Sequence, residues 1–286
     1  MSDGAQLPVL SPGEFQQLCD FFYRRTGMIF TEAKRYYVER RVLERMGAIG
    51  VSTFAQYFAR LRMDTDGEIE QVVNAFTVNE TYFYREDHQF RCLTTDLLRQ
   101  RVAVKAPAES IRIWSVPCST GEEPYSIAMW LLENWPEVDN HDIELVGSDI
   151  DTRVLRDAQV GIYGKRALMR LTPDLVERFF DKEGEDAFRL VADVRDSVGF
   201  TRVNMVEPDA TRAQGVFDVI FCRNMLIYFD EESRRLAAEN LYECLKPGGF
   251  ICLGHTESMS RISSLFEVRR FADAIVYQRP LEVGRG

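Results

Sequence analysis

The chain has 286 residues, 45% of them hydrophobic, enough to bury a full core and to fill two domains of ordinary size. A formal net charge of −10 argues against a nucleic-acid partner, which needs clustered Lys and Arg; the longest apolar runs, such as Phe217 to Cys222, stop far short of a membrane span; and the opening MSDGAQLP lacks the charged, then apolar pattern of an export signal. Six scattered cysteines without a C-x-x-C pair, and only three histidines, argue against a zinc or disulfide framework, so no metal is expected and a reducing, cytoplasmic location fits.

The first elements read as helices. SPGEFQQLCDFFYRRTG, from Ser11, has an N-cap Ser, Pro at the first helical position and Gly at the far end. TEAKRYYVERRVLERMG, TFAQYFARLRM and DGEIEQVVNAF repeat the helical period, and the four predict a small all-α domain over residues 1–84. This domain runs against the acidic balance: residues 21–62 hold nine Lys or Arg against three Glu, a net +6, which leaves about −16 for the rest. In the second helix a step of about 100° per residue places Lys34, Arg41 and Arg45 within roughly 40° of one another, while Val42, Leu43 and Met46 face elsewhere. That positive stripe is either a solvated face or a docking surface for an acidic partner, and Arg40 beside Glu44 reads as an ordinary surface pair.

Past residue 84 the pattern changes. IRIWSV, IELVGSDI, FDVIFC, GFICLG and AIVYQR are apolar runs of strand length, separated by helical stretches such as PYSIAMWLLENW and ESRRLAAENLYECL. Such alternation predicts a parallel sheet covered on both faces, a doubly wound α/β domain over residues 85–286. Residues 161–202, with the short loop DKEGED and the stretch RLVADVRDSVGFTRV, predict a small antiparallel β-subdomain inserted between sheet elements.

The chemistry gathers at the strand ends. IRIWSV runs into a small-residue turn, Ser119-Thr120-Gly121, which opens a helix and lets a ligand approach the backbone. It is not the G-x-G-x-x-G of a dinucleotide site. The acidic pair Glu122 and Glu123 would repel a pyrophosphate and suit a cation, and S-adenosylmethionine carries both a sulfonium and an amino group. GSDID sets Asp149 at the carboxyl edge of a strand, where it either accepts the hydrogen bonds of a ribose diol or, with Asp151, caps the next helix. Beyond FDVIFC, Asn224 and Tyr228 fit the polar residue and aromatic that close a methyltransferase pocket, and LKPGG stops the helix that follows them.

Taken in order, TVNETYFYRE at Thr77–Glu86, WSVPCSTGEEPYSIA at Trp114–Ala128, GSDID at Gly147–Asp151, RVNMVEP at Arg202–Pro208 and FDVIFCRNMLIYFD at Phe217–Asp230 resemble the chemotaxis receptor methyltransferases, the CheR family, over nearly the whole chain. The resemblance implies a helical N-terminal domain followed by a Rossmann-like class I methyltransferase domain with an inserted β-subdomain. It implies S-adenosylmethionine as cofactor, S-adenosylhomocysteine as product, and glutamate side chains in the cytoplasmic helical bundle of chemoreceptors as substrate. By the same resemblance Asn79, Thr81, Arg85, Glu123, Asp149, Asn204, Met205, Asn224 and Met225 contact the cofactor, with Glu123 on its amino group, and Arg85 and Tyr228 stand nearest the methyl as catalytic residues. From the residues alone, Arg85 equally serves to pin the domain junction through Glu86 or Asp87, and Tyr228 to pack beside Phe229. The loop DKEGED looks abbreviated beside family members whose β-subdomain grips a receptor tail, so recognition without that tether is expected. The competing functions are a non-catalytic S-adenosylmethionine-sensing adaptor, which needs neither Arg85 nor Tyr228, and a methyltransferase acting on another substrate such as RNA, against which the acidic balance argues.

Overall fold

The computed structural model describes residues 10–106 and 109–281; the opening MSDGAQLP, on which the export-signal expectation rests, lies outside them. The chain forms two compact units, one reaching to Val78 and including Tyr228–Asp230, the other made of Asn79–Ile227 and the residues from Glu231 onward.

The smaller unit contains α1 (Pro12–Thr26), α2 (Arg35–Ala48), α3 (Phe54–Met63) and α4 (Glu68–Phe76). α1 starts on a capping box, with the Ser11 hydroxyl accepting from Glu14 N–H while the Glu14 carboxylate accepts from Ser11 N–H, and it ends at Gly27 with φ 70°. Val38, Val42, Tyr57, Leu61, Val72 and the paired rings of Phe22 and Phe76 are buried between the helices.

Two expectations for the basic stripe are corrected here. The second helix begins one turn late, because Glu32–Lys34 forms a separate 3-10 turn; Lys34 therefore lies outside the helix whose angular step had aligned it with Arg41 and Arg45. Arg45 is no outward-facing cation. Its Nε and Nη2 grip the two carboxylate oxygens of buried Glu68 at 3.0 and 2.6 Å, and Glu68 also accepts from the Tyr57 hydroxyl at 3.1 Å, so the group ties α2, α3 and α4 together. Arg41 pairs with Glu44 at 3.2 Å and lies 5.4 Å from the Tyr37 ring centre, while Arg40 pairs with Glu44 at 3.3 Å. The stripe thus reduces to Lys34 and Arg41.

In the larger unit, α5 (His88–Cys92) and α6 (Leu98–Val102) lead into β1 (Ile111–Ser115), followed by α7 (Glu122–Asn134), β2 (Ile143–Asp149) and α8 (Thr152–Val160). An insertion holds β3 (Ile162–Gly164), α9 (Pro173–Phe179), β4 (Phe180–Lys182) and β5 (Ala187–Leu190). Then come α10 (Ala192–Arg195), β6 (Val198–Arg202), α11 (Pro208–Arg212), β7 (Phe217–Cys222), α12 (Glu231–Glu243), β8 (Leu245–Leu253), β9 (Glu267–Arg270) and β10 (Ile275–Gln278). The seven-stranded sheet has the order β6-β2-β1-β7-β8-β10-β9, parallel except that β10 runs antiparallel to both of its neighbours. Apolar strands fill it: β7 is buried along its whole length.

The β-subdomain is narrower than expected. Only β3, β5 and β4 form the separate antiparallel sheet, whereas VGFTR, expected in the insertion, is β6 and pairs in parallel with β2 from Leu145–Val198 to Asp149–Arg202. Its alternating pattern suits an edge strand of either sheet, so local sequence does not decide between them. LKPGG follows the end of α12 at Glu243, as expected of a helix stop, and is itself the start of β8, with Leu245 paired to Phe217 and a register shift before Val219 pairs with Phe250.

Residues 79–87 are anchored in the larger unit, so the division falls ahead of the junction expected at 84/85. Phe83 is fully buried edge-on against Tyr163 and Phe180, Phe83 N–H donates to Ala167 C=O at 2.9 Å, and Tyr84 N–H donates to Ser126 Oγ at 3.0 Å. Among the described residues no helix is long and apolar enough to cross a membrane.

Candidate functional site

In a doubly wound sheet a ligand sits outside the carboxyl ends of the strands where the strand order reverses, here between β1 and β7. After β1 the chain turns sharply through Ser119 (φ 50°) and Gly121 (φ 92°) into α7. A Cβ on Gly121 would meet Ala158 Cβ and the Tyr125 ring at 2.9 Å, so that position demands Gly for both its φ and its space.

The two aspartates at the end of β2 differ in their partners. Asp151 caps α8, accepting from Arg153 N–H and Val154 N–H at 2.9 and 3.3 Å, while its other oxygen accepts from the Asn79 amide at 3.0 Å. Asp149, buried at the strand end, accepts from Ser119 N–H at 2.9 Å and from Asp151 N–H at 3.0 Å, one through each oxygen. Burial pushes its carboxyl up to about 6 despite these donors. Each carboxylate oxygen has further acceptor capacity, which suits a diol.

The acidic pair also divides. Glu122 is buried and accepts from the Thr120 hydroxyl at 2.6 Å. Glu123 accepts from Ser115 Oγ at 2.7 Å through one oxygen and from Arg223 Nη1 at 2.9 Å through the other, yet 13% of its side chain stays accessible. Burial pushes Glu123 upward and Arg223 opposes it. A fixed, reachable carboxylate of this kind fits an ammonium group.

Arg223, directly after β7, is the residue that sequence reasoning missed. Its guanidinium is buried; besides Glu123 it donates to the Arg85 carbonyl at 2.6 Å and lies 3.4 Å from Glu86. Glu86 in turn accepts from the Gln89 amide at 2.9 Å and stands 2.9 Å from His255 Nδ1. Burial raises the Glu86 carboxyl, but Arg223, His255 and Arg85 together outweigh it and hold it below the usual range. Arg85 itself reaches neither Glu86 nor Asp87 with a hydrogen bond that would pin a junction; Nη1 donates to Glu80 C=O at 3.0 Å and the guanidinium lies 5.8 Å from the Tyr82 ring centre. Tyr84 and Glu86, on either side of it, both have φ 56°, a conformation that costs a residue with a side chain roughly 1–3 kcal/mol.

On the other strands, Asn204 binds Glu207 at 2.9 Å, Met205 is buried with its carbonyl accepting from Asn240, and Asn224 takes φ 59°. Glu257, also unanticipated, accepts from Asn224, Leu226 and Gly254 N–H at 2.7, 2.8 and 3.0 Å and so shapes the loop carrying Asn224 and half-buried Met225. Thr81 is half-buried in the loop before Phe83. Tyr228 belongs to the smaller unit, where its carbonyl accepts from Ile29 N–H at 3.3 Å and its ring lies 5.7 Å from the Lys34 ammonium. Buried Cys118 and Cys222 have thiols pushed well above their ordinary range, which makes them inert filler. No group of three or more His, Cys, Asp or Glu able to hold a metal occurs among the described residues.

Comparison with known proteins finds two family models that match. Residues 13–77 match the CheR methyltransferase all-alpha domain and residues 79–275 the CheR methyltransferase SAM binding domain. The chain is 45% identical over 273 residues to a chemotaxis protein methyltransferase 2 of Vibrio cholerae, covering 95% of this chain and 94% of the relative. It is 39% identical over 255 residues to a chemotaxis protein methyltransferase 2 of Pseudomonas aeruginosa, covering 88% and 89%. To the chemotaxis protein methyltransferase of Escherichia coli it is 34% identical over 264 residues, covering 91% and 89%.

Proposed function

The chain belongs to the CheR methyltransferase family, with S-adenosylmethionine as its cofactor, and from that premise we propose that it esterifies glutamate side chains in the cytoplasmic helical bundle of chemoreceptors. The observation that carries the reading is Glu123, at the start of α7, fixed by Ser115 and Arg223 yet still accessible, at the same carboxyl end of the sheet as Asp149. Glu123 takes the amino group and Asp149 the ribose diol; Asn79, Thr81, Asn204, Met205, Asn224 and Met225 line the rest. The cofactor supplies a methyl group on a sulfonium and departs as S-adenosylhomocysteine.

A glutamate with an ordinary pKa of about 4.3 is already ionised at neutral pH, so this chain needs no general base. Its residues instead orient the carboxylate in line with the methyl and exclude water. Arg85 supplies that orientation through a charge-assisted hydrogen bond, held loosely enough to leave the carboxylate nucleophilic. Tyr228 keeps its assignment beside the methyl on the strength of the FDVIFCRNMLIYFD motif. Lys34 and Arg41 of the helical unit meet the acidic bundle, and the short β4–β5 hairpin makes recognition independent of a receptor tail. Incubation with methyl-labelled cofactor and receptor cytoplasmic fragments, with and without their C-terminal tails, tests this. Base-labile label on both fragments is expected; label on neither refutes the activity, and label only on the tailed fragment refutes the tether-independent part.

A further inference from the structure

We propose that Arg223 is a positioning residue that locks together the two ends of the methyl-transfer site, one fork of its guanidinium aiming Glu123 and the other fixing the backbone of Arg85. The inference rests on the reading of Glu123 as the ligand of the cofactor's amino group. Arg223 is 94% buried by the fold, being 6% exposed, and it faces three acceptors on two separate segments: Glu123 Oε2 at 2.9 Å on α7, and Arg85 C=O at 2.6 Å and Glu86 Oε2 at 3.4 Å on the loop before α5. A planar guanidinium spans such a set; a lysine ammonium, with one point of charge, does not.

The loop it grips needs external ties. Arg85 is flanked by Tyr84 and Glu86, both at φ 56°, and such backbone persists only where its surroundings over-determine it. The ties are Ser126 on Tyr84 N–H, Gln89 and His255 on the Glu86 carboxylate, and Arg223 on the Arg85 carbonyl. Of these, Arg223 alone also holds Glu123. The groups that bear on Glu123 are Ser115 on β1, Arg223 after β7, Glu86 on the loop, and the thiols of Cys118, Cys222 and Cys252, which burial keeps protonated. Arg223 is therefore the cation that opposes the effect of burial on this carboxylate.

The test uses the full chain with Arg223→Met, Arg223→Lys and Glu123→Gln, and calorimetry with S-adenosylhomocysteine and with 5′-methylthioadenosine, which lacks the amino-acid end. Arg223→Met is expected to weaken S-adenosylhomocysteine about 10- to 100-fold, more so at lower pH because burial then pushes Glu123 up without an opposing cation, and to change methylthioadenosine less than about 3-fold. Arg223→Lys is expected to remove that pH dependence while the turnover number stays depressed, since the tie to Arg85 is not rebuilt. Equal loss for both ligands, with no pH dependence, would mean a merely structural arginine and overturn the proposal. If Arg223→Met does not fold, Arg223→Lys decides: wild-type turnover refutes the locking role. If Glu123→Gln leaves S-adenosylhomocysteine binding unchanged, the underlying reading of Glu123 fails; if it weakens binding and the Arg223 variants do not, only the positioning role fails.

Discussion

Replacing Asp149 by Asn keeps the shape of the side chain and removes its charge at a buried position where both oxygens already accept backbone N–H groups. With the carboxyl pushed up to about 6, the wild-type site is almost fully ionised at pH 7 and about nine-tenths protonated at pH 5. If the ribose diol binds the ionised form, affinity for S-adenosylhomocysteine falls about 10-fold between pH 7 and pH 5, or about 1.4 kcal/mol. In Asp149→Asn the amide nitrogen faces Ser119 N–H or Asp151 N–H and leaves one of these donors unsatisfied, which costs about 1–3 kcal/mol, so binding at pH 7 is weaker and the pH slope is gone. The ligand-free protein shows the opposite sign. A carboxyl raised by burial contributes stability below its unfolded value of about 3.9 and loses that contribution as pH rises through about 6, an amount of about 3 kcal/mol that the variant lacks. Calorimetric titration from pH 5 to 7.5 reads the first effect and thermal melting the second. A variant with the wild-type pH slope in binding would remove Asp149 from the ribose site.

In the helical unit, Glu68→Gln should lower stability by about 1–3 kcal/mol by removing the buried carboxylate that half-buried Arg45 grips, whereas Arg41→Ala should change it by less than about 0.5 kcal/mol; thermal melting of the full chain distinguishes them, and equal effects would contradict the packing role of Arg45. The double variant Lys34→Glu with Arg41→Glu should raise the KM for receptor fragments and flatten the salt dependence of methylation without altering cofactor affinity, and wild-type kinetics at low ionic strength would reduce both residues to solvated surface. Arg85→Ala should depress ester formation at least about 100-fold with the melting temperature nearly unchanged, because its side chain touches only its own loop; parallel loss of stability and activity would assign it a structural role.

Local chemistry made much of the architecture legible. The start of α1 could be read from Ser11 and Pro12 because an N-cap and a proline at the first helical position are local signals, and β1, β2 and β7 could be read because buried parallel strands are continuous apolar runs. Asp149 was placed by its position at a strand end, a rule of the sheet rather than of the residue. What escaped depends on partners far along the chain. Arg223 and Glu123 are 100 residues apart, and nothing around Arg223 says that it is buried. Glu68 stands in an acidic first turn, where a solvated carboxylate is the ordinary expectation, and only α2 and α3 folding back onto it reveal the pair with Arg45. Lys34 was misplaced because a 3-10 turn and the first turn of an α-helix share the same residue preferences.

Transfer of the cofactor methyl to glutamate carboxylates of chemoreceptors is read out by tandem mass spectrometry of receptor cytoplasmic fragments after reaction with deuterated-methyl cofactor. A methyl-ester mass increment is expected on glutamate side chains of the helical bundle, removed by mild base and absent with Arg85→Ala. Label on a nitrogen or sulfur atom, or label retained after base, would contradict it.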